Sequence, residues 1–250
     1  MITTASMCDF LARYREFTEG TSTRRLEGVR GFLESAHDSV SALLEEIRCE
    51  DAREAPRFNI FRALDIERKE AVLHTRLLRH LLDPTAAHAQ GNLFLRCFFD
   101  MMAGAHPARF TKPPEPLEDG RWVVCKELAI GDEGRLDLLI ENSLQKYAVV
   151  VENKVDASEG DAQLDRYADW VNERRRGYEA SLVFLTPSGR APISALRSSD
   201  RWIRLSYRRH IATFLGDALK QLEAAQPVRE VVRQYLLVVK SLSEVDDDES

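Results

Sequence analysis

Apolar residues recur at helical spacing over residues 5–17 and 22–49, where Leu26, Val29, Phe32, Leu33, Leu43, Leu44 and Ile47 share a stripe. The same period returns over 67–82, 92–102, 161–176, 208–223 and 227–243. Between these stretches lie short apolar or alternating runs at 121–130, 136–140, 147–154, 181–186 and 202–207, which predict strands. A Pro- and Gly-rich loop at 104–120 separates the early helices from the first strand. The order of helix, three strands, helix, strand, strand and closing helices predicts an α/β fold with a mixed sheet flanked by helices. Residues 1–66 read as an N-terminal helical extension and 67–243 as the main domain. The tail at 244–250 carries five acids and no base, and reads as disordered.

Candidate chemistry concentrates between Gly134 and Tyr167. The runs Leu136 to Ile140 and Tyr147 to Lys154 are joined by the polar break Glu141–Lys146, the pattern of a β-hairpin. Asp137 opens the first run, while Glu152 and Lys154 end the second and, two residues apart, share a face. Pairing about the break places 137 roughly opposite 150, at that same end. Two carboxylates and an ammonium would then meet at one edge of an apolar sheet. On the next helix Gln163 and Tyr167 lie four apart on one face. Against this stands the ordinary reading that charge emerges into water at strand ends.

Over 67–82, at about 100° per residue, Glu70 and His74 fall within the stripe formed by Leu73, Leu77, Leu78 and Leu81. Arg68, Arg76 and Arg79 fall opposite. An inward carboxylate must be paired, hydrogen-bonded or bound to a metal, because an isolated buried charge is costly. Either Glu70 and His74 bond each other in the core, or Glu70 serves a site. His88 in the loop after Asp83-Pro84, Glu127 at a strand end and Arg135 beside Asp137 are secondary candidates.

The net charge is −6, yet residues 174–209 hold nine arginines, Arg174, Arg175 and Arg176 among them, against Glu179 and Asp200. Arginine suits bidentate phosphate contacts, so this window is a candidate nucleic-acid surface, or simply a solvated one. Cys8, Cys49, Cys97 and Cys125 form no C-x-x-C pair, which argues against a zinc site or a disulfide framework. No apolar run reaches the ~20 residues of a membrane span, and the N-terminus has no signal-like pattern. Free thiols in the cytoplasm are the expectation. There is no Walker loop, H-E-x-x-H or G-x-S-x-G.

Asp137, the Glu152-x-Lys154 strand end and Gln163-x-x-x-Tyr167 resemble the PD-(D/E)XK nuclease superfamily, most of all its stand-alone bacterial members. The proline usual before the first aspartate is Leu136 here. The resemblance covers about residues 67–215 and implies a restriction-endonuclease-like α-β-β-β-α-β core. It also implies a metal-dependent nuclease using Mg²⁺, or Mn²⁺ in its place, on DNA, in roles such as phage defence or DNA processing. Asp137 and Glu152 would be metal ligands with Glu70 as an added acid. Lys154 would serve the attacking water or transition-state charge, Gln163 would fix the lysine, water or phosphate, and Tyr167 would contact the strand or nucleic acid. An RNA nuclease, or a non-catalytic nucleic-acid or protein-binding module on the same fold, remains open. The N-terminal helices are candidates for a homodimer or protein-partner contact.

Overall fold

The computed structural model describes residues 4–113, 117 and 121–243, the side chains of residues 4–6, 22–25 and 54 excepted. The acidic tail at 244–250 lies outside the described residues. Two compact units divide the chain, Met1–Phe58 and Asn59–Ser250.

The first unit is built on one helix, α1 (Thr4–Glu54), where two helices are expected from the sequence. The expected break falls near Gly20. A lone glycine weakens a helix by only about 1 kcal/mol, and no proline interrupts the run. The Thr18 and Thr21 hydroxyls donate back to the carbonyls of Arg15 and Phe17, and the pairs Arg15–Glu19 and Arg30–Glu34 bridge successive turns. Its large apolar side chains stay open, Phe17 at 71% and Phe32 at 72% exposure. Among the described residues, no helix is long and apolar enough to cross a membrane.

The second unit starts with α2 (Ile60–Ala63), whose cap Asn59 accepts from the Phe61 N–H and donates to the Gln234 carbonyl. A π-helical turn at Glu70–His74 leads into α3 (Thr75–Leu82), and α4 (Leu93–Ala105) follows. The sheet comes next: β1 (Val123–Ala129), β2 (Arg135–Asn142) and β3 (Tyr147–Asn153), all antiparallel neighbours. After α5 (Gln163–Arg174), β4 (Glu179–Thr186) pairs parallel with β3, and β5 (Trp202–Ser206) parallel with β4. A second π turn, Tyr207–Ile211, opens α6 (Ala212–Gln221), and α7 (Gln226–Ser241) ends the fold.

This is the predicted α/β architecture, a mixed five-stranded sheet in the order β1-β2-β3-β4-β5 between two helical layers. Strand alternation assigns the faces. Leu138, Ile140, Val149, Val151, Val183, Leu185, Ile203 and Leu205 pack under α3, α4, α6 and α7. On the other face Leu139, Ala148, Val150, Leu182 and Phe184 meet Leu164, Tyr167, Ala168 and Val171 of α5. Every residue of β3 is buried, as a central strand covered on both faces requires.

Candidate active site

The β2–β3 register pairs Leu138 with Val151, so Asp137 comes opposite Glu152 rather than 150. The expected pairing was off by two residues, one pleat repeat, so the face was unaffected. Beyond that pair the regular ladder stops. The Asn153 N–H instead donates to Asp137 Oδ2 at 2.8 Å. On the other side of β2, Glu127 has φ 51°, a left-handed kink facing Asp137 that interrupts β1 between its pairs at Lys126 and Leu128.

Glu152 is almost fully buried. Its Oε1 receives two donors, Lys154 Nζ at 2.7 Å and Gln163 Nε2 at 2.8 Å. Gln163 also donates to the Tyr167 hydroxyl at 2.9 Å, which in turn donates to the Arg135 carbonyl at 2.7 Å. The Gln163 amide oxygen accepts from the Gly160 N–H at 3.0 Å, which fixes the way the amide points. Gly134 allows this arrangement. Its φ is 120°, and a Cβ there would stand 3.3 Å from the Tyr167 hydroxyl. Glu152 Oε2, by contrast, is buried and receives no N–H or hydroxyl donor, while the Glu152 and Asp137 carboxyls are hydrogen-bonded to each other.

Electrostatics follow from this burial. Glu152 is pushed up to about 8, first by desolvation and then by the Asp137 charge, with Lys154 opposing. Asp137 is raised by burial against the pull of the Asn153 N–H, Lys154 and a hydrogen bond with the Glu152 carboxyl. Burial works against the Lys154 charge, but Glu152, Asp137 and Glu70 together outweigh it and raise the ammonium.

Glu70 is half-buried at the rim, within the π turn, where its Oε2 accepts from the Val155 N–H at 2.7 Å. A wheel of constant pitch misplaces it, because a π turn inserts extra backbone and rotates what precedes it. Burial raises Glu70, opposed by the Val155 N–H and by Lys154, which brings it into the same electrostatic cluster. It does not bond His74. That ring is fully buried, donates from Nε2 to the Glu67 carbonyl at 2.9 Å and accepts at Nδ1 from the Tyr235 hydroxyl at 3.0 Å. Burial holds His74 neutral, down at about 4.

Behind the carboxylates lies a residue that sequence reasoning passed over. Asn153, between Glu152 and Lys154, turns its side chain to the opposite face. There it accepts from the Tyr207 hydroxyl at 2.9 Å and donates to Thr75 Oγ1 at 3.1 Å. The signal was present: an asparagine inside a strand buried on both faces has to find partners. Its backbone holds Asp137 while its side chain ties β3 to α3. Asn153→Ala removes the bonds to Tyr207 and Thr75, leaving the Tyr207 hydroxyl with Tyr235 alone, and should lower stability by about 1–3 kcal/mol in urea unfolding. A change below about 0.5 kcal/mol would show that the network does not hold the strand end.

Other candidates fall elsewhere. Glu127 pairs with Lys126 at 2.9 Å and Arg135 at 3.7 Å, in solvent beside the cluster. Both ring nitrogens of His88 are used within its own turn, by the Asp83 carbonyl and the Gln90 N–H. Arg175 forms a two-point pair with Glu141 at 2.8 and 3.0 Å and stacks on Trp170. Arg174 and Arg176 are exposed at the same end of α5, about 16 Å along the helix from Gln163.

Among the described residues, no three His, Cys, Asp or Glu side chains form a metal cluster. What is present is the Asp137–Glu152 pair, both raised by burial and hydrogen-bonded to each other, with no other donor on Glu152 Oε2. That donor set fits a hard divalent cation, which takes oxygen ligands and relieves like charge. No curated protein and no solved structure matches the chain. A family model does, over residues 58–237, which spans α2 to α7 and the whole carboxylate cluster. The chain belongs to the PD-(D/E)XK nuclease superfamily.

Proposed function

We propose that this protein hydrolyses phosphodiester bonds in nucleic acid, DNA above all, at the Asp137–Glu152 edge of the sheet. The observation that carries the reading is the buried Asp137–Glu152 pair, two carboxyls hydrogen-bonded to each other with no other donor on Glu152 Oε2. Asp137 and Glu152 would hold Mg²⁺ or Mn²⁺, with Glu70 at the rim. When bound, such an ion supplies charge relief at the phosphoryl oxygens and a lowered pKa for water.

The remaining work belongs to the side chains. Lys154, kept charged by three carboxylates, would face the attacking water or the negative charge that grows in the transition state. Gln163 and Tyr167 hold Glu152 Oε1 in place, so that Oε2 is the atom presented to a cation. Asp137 is held from behind by the Asn153 N–H. This preorganisation lets a charged group act without reorganising during the reaction. Arg174 and Arg176 would touch phosphates only well away from the scissile bond.

The test is parallel incubation of the full chain with plasmid, linear duplex, single-stranded DNA and RNA, in Mg²⁺, Mn²⁺ or EDTA. The expected outcome is DNA cleavage with either ion and none in EDTA. Cleavage confined to RNA would replace the substrate assignment. Nucleic-acid binding with no cleavage in any ion would leave a non-catalytic module on the nuclease fold.

A further inference from the structure

The arginine-rich window divides once it is folded. Arg175 is held by Glu141, Arg190 by Glu159, and Arg197 by Asp165 and Asp169. Arg204 and Arg209 are different. They line a cavity of about 770 Å³ together with Arg109, His106 and His210, at the outer edge of β5 between the end of α4 and the start of α6. We propose that this cavity is a phosphate-binding site, with Arg109, Arg204 and Arg209 as its anion-contacting groups.

Position and charge both support this. β5 is the last strand of the sheet, so one of its edges faces no strand. Arg109 caps that edge, donating to the carbonyls of Asp200 and Trp202. Arg204 is exposed on this edge strand between the buried Ile203 and Leu205, and it lines the cavity. Two acids also line the cavity, but each has its own lysine: Asp100 pairs with Lys112, and Asp217 with Lys220 at 2.7 Å. Among the described residues no carboxylate pairs with Arg109, Arg204 or Arg209. Three guanidiniums are therefore left with a surplus of positive charge, in a fork geometry suited to tetrahedral oxyanions.

Two histidines flank the arginines. His210 Nδ1 accepts from the Ser206 N–H at 2.9 Å, so its proton sits on Nε2. His106 Nε2 is buried and has no partner. The two rings lie 5.6 Å apart. Burial depresses His106, its bond to the Arg204 carbonyl opposes this, and the surrounding arginines depress it further; burial, His106 and Arg209 depress His210. The positive field thus converges on both rings, and an anion in the cavity would relieve it.

β3, β4 and β5 run parallel, so Ser206 at the end of β5 and Glu152 near the end of β3 lie at the same end of the sheet. Two strand spacings, about 10 Å, separate those strands. Assigning the phosphate to nucleic acid rests on the nuclease reading; phosphate binding itself does not.

Inorganic phosphate should be titrated calorimetrically into the full chain in EDTA, comparing wild type with the double variant Arg204→Gln/Arg209→Gln. Both substitutions lie on the surface, and circular dichroism checks the fold. The expected result is binding by wild type and at least about tenfold weaker binding by the double variant. No phosphate binding by wild type, or equal affinity in the two proteins, overturns the proposal whether or not the chain cleaves DNA. Single-stranded oligonucleotides of one sequence, with 5′-phosphate or 5′-hydroxyl ends, then identify the source in the same buffer. Preference for the 5′-phosphate marks a strand-end site, and equal weakening of both by the double variant marks a backbone site. Loss confined to inorganic phosphate marks a site for a free anion. If phosphate binds as expected and no substrate is cut, the nuclease reading fails alone.

Discussion

Asp137→Asn should abolish cleavage, by about 10³-fold or more, without unfolding the protein. The side chain keeps its shape and its carbonyl oxygen, so the Asn153 N–H that now reaches Oδ2 at 2.8 Å retains an acceptor. What is lost is the negative charge beside Glu152. Removing it would withdraw one of the two proposed ligands from a cation worth several kcal/mol to the transition state, and each 1.4 kcal/mol is about tenfold in rate. The fold should suffer little, because the substitution removes a buried charge and still offers a carbonyl to the Asn153 N–H. Lys154→Met should cost about 10²–10³-fold by removing the charge-stabilising donor, and here the fold should weaken as well. Glu152 Oε1 would lose its 2.7 Å partner and keep only Gln163. Cleavage time courses in Mg²⁺, beside thermal melts, separate the two cases. An Asp137→Asn protein as active as wild type would remove the carboxylate pair from the chemistry.

Asp137, Glu152, Lys154, Gln163 and Tyr167 could be read from the sequence because strand alternation and i, i+4 spacing are local and survive small errors in register. The pairing of 137 with 150 was off by two, and two is the one error that leaves every side chain on its face. Glu70 shows the opposite case. A π turn is invisible to a wheel of constant pitch, so a residue expected at the centre of a buried stripe stands at the rim, held by the Val155 N–H. Counting arginines over 174–209 found a positive window but not its partners. Glu141, Glu159 and Asp165, which take up Arg175, Arg190 and Arg197, are brought to them only by the fold. The same holds for Asn153, whose partners Thr75 and Tyr207 lie 78 and 54 residues away in the chain.

Glu152→Gln should abolish cleavage and, in metal-free buffer, make the protein more stable than wild type, increasingly so as pH rises. In the unfolded chain the glutamate titrates near 4.5; in the fold, burial and the Asp137 charge move it to about 8. Below about pH 4.5 both states carry the proton, and the buried acid costs the fold nothing. Between 4.5 and 8 the unfolded chain releases the proton while the fold retains it, so wild-type stability falls steadily. Above 8 the fold must hold the ionised carboxylate, and the loss is complete. Glutamine never ionises, and its amide can donate to the Asp137 carboxylate at every pH, where the Glu152 carboxyl does so only while it holds its proton. The Tm difference between variant and wild type should therefore be small near pH 4.5 and largest near pH 8. Asp137 is itself raised by burial and remains in both proteins, so its own contribution largely cancels in the comparison. Mg²⁺ or Mn²⁺ should raise the wild-type Tm at pH 8 and leave the variant nearly unmoved, because the charge a cation relieves is gone. An ordinary core lesion would behave otherwise, with the variant less stable than wild type by an amount that does not change with pH. That result would show that the buried Asp137–Glu152 pair is a packing detail, and that the strain assigned to a cation site is not there.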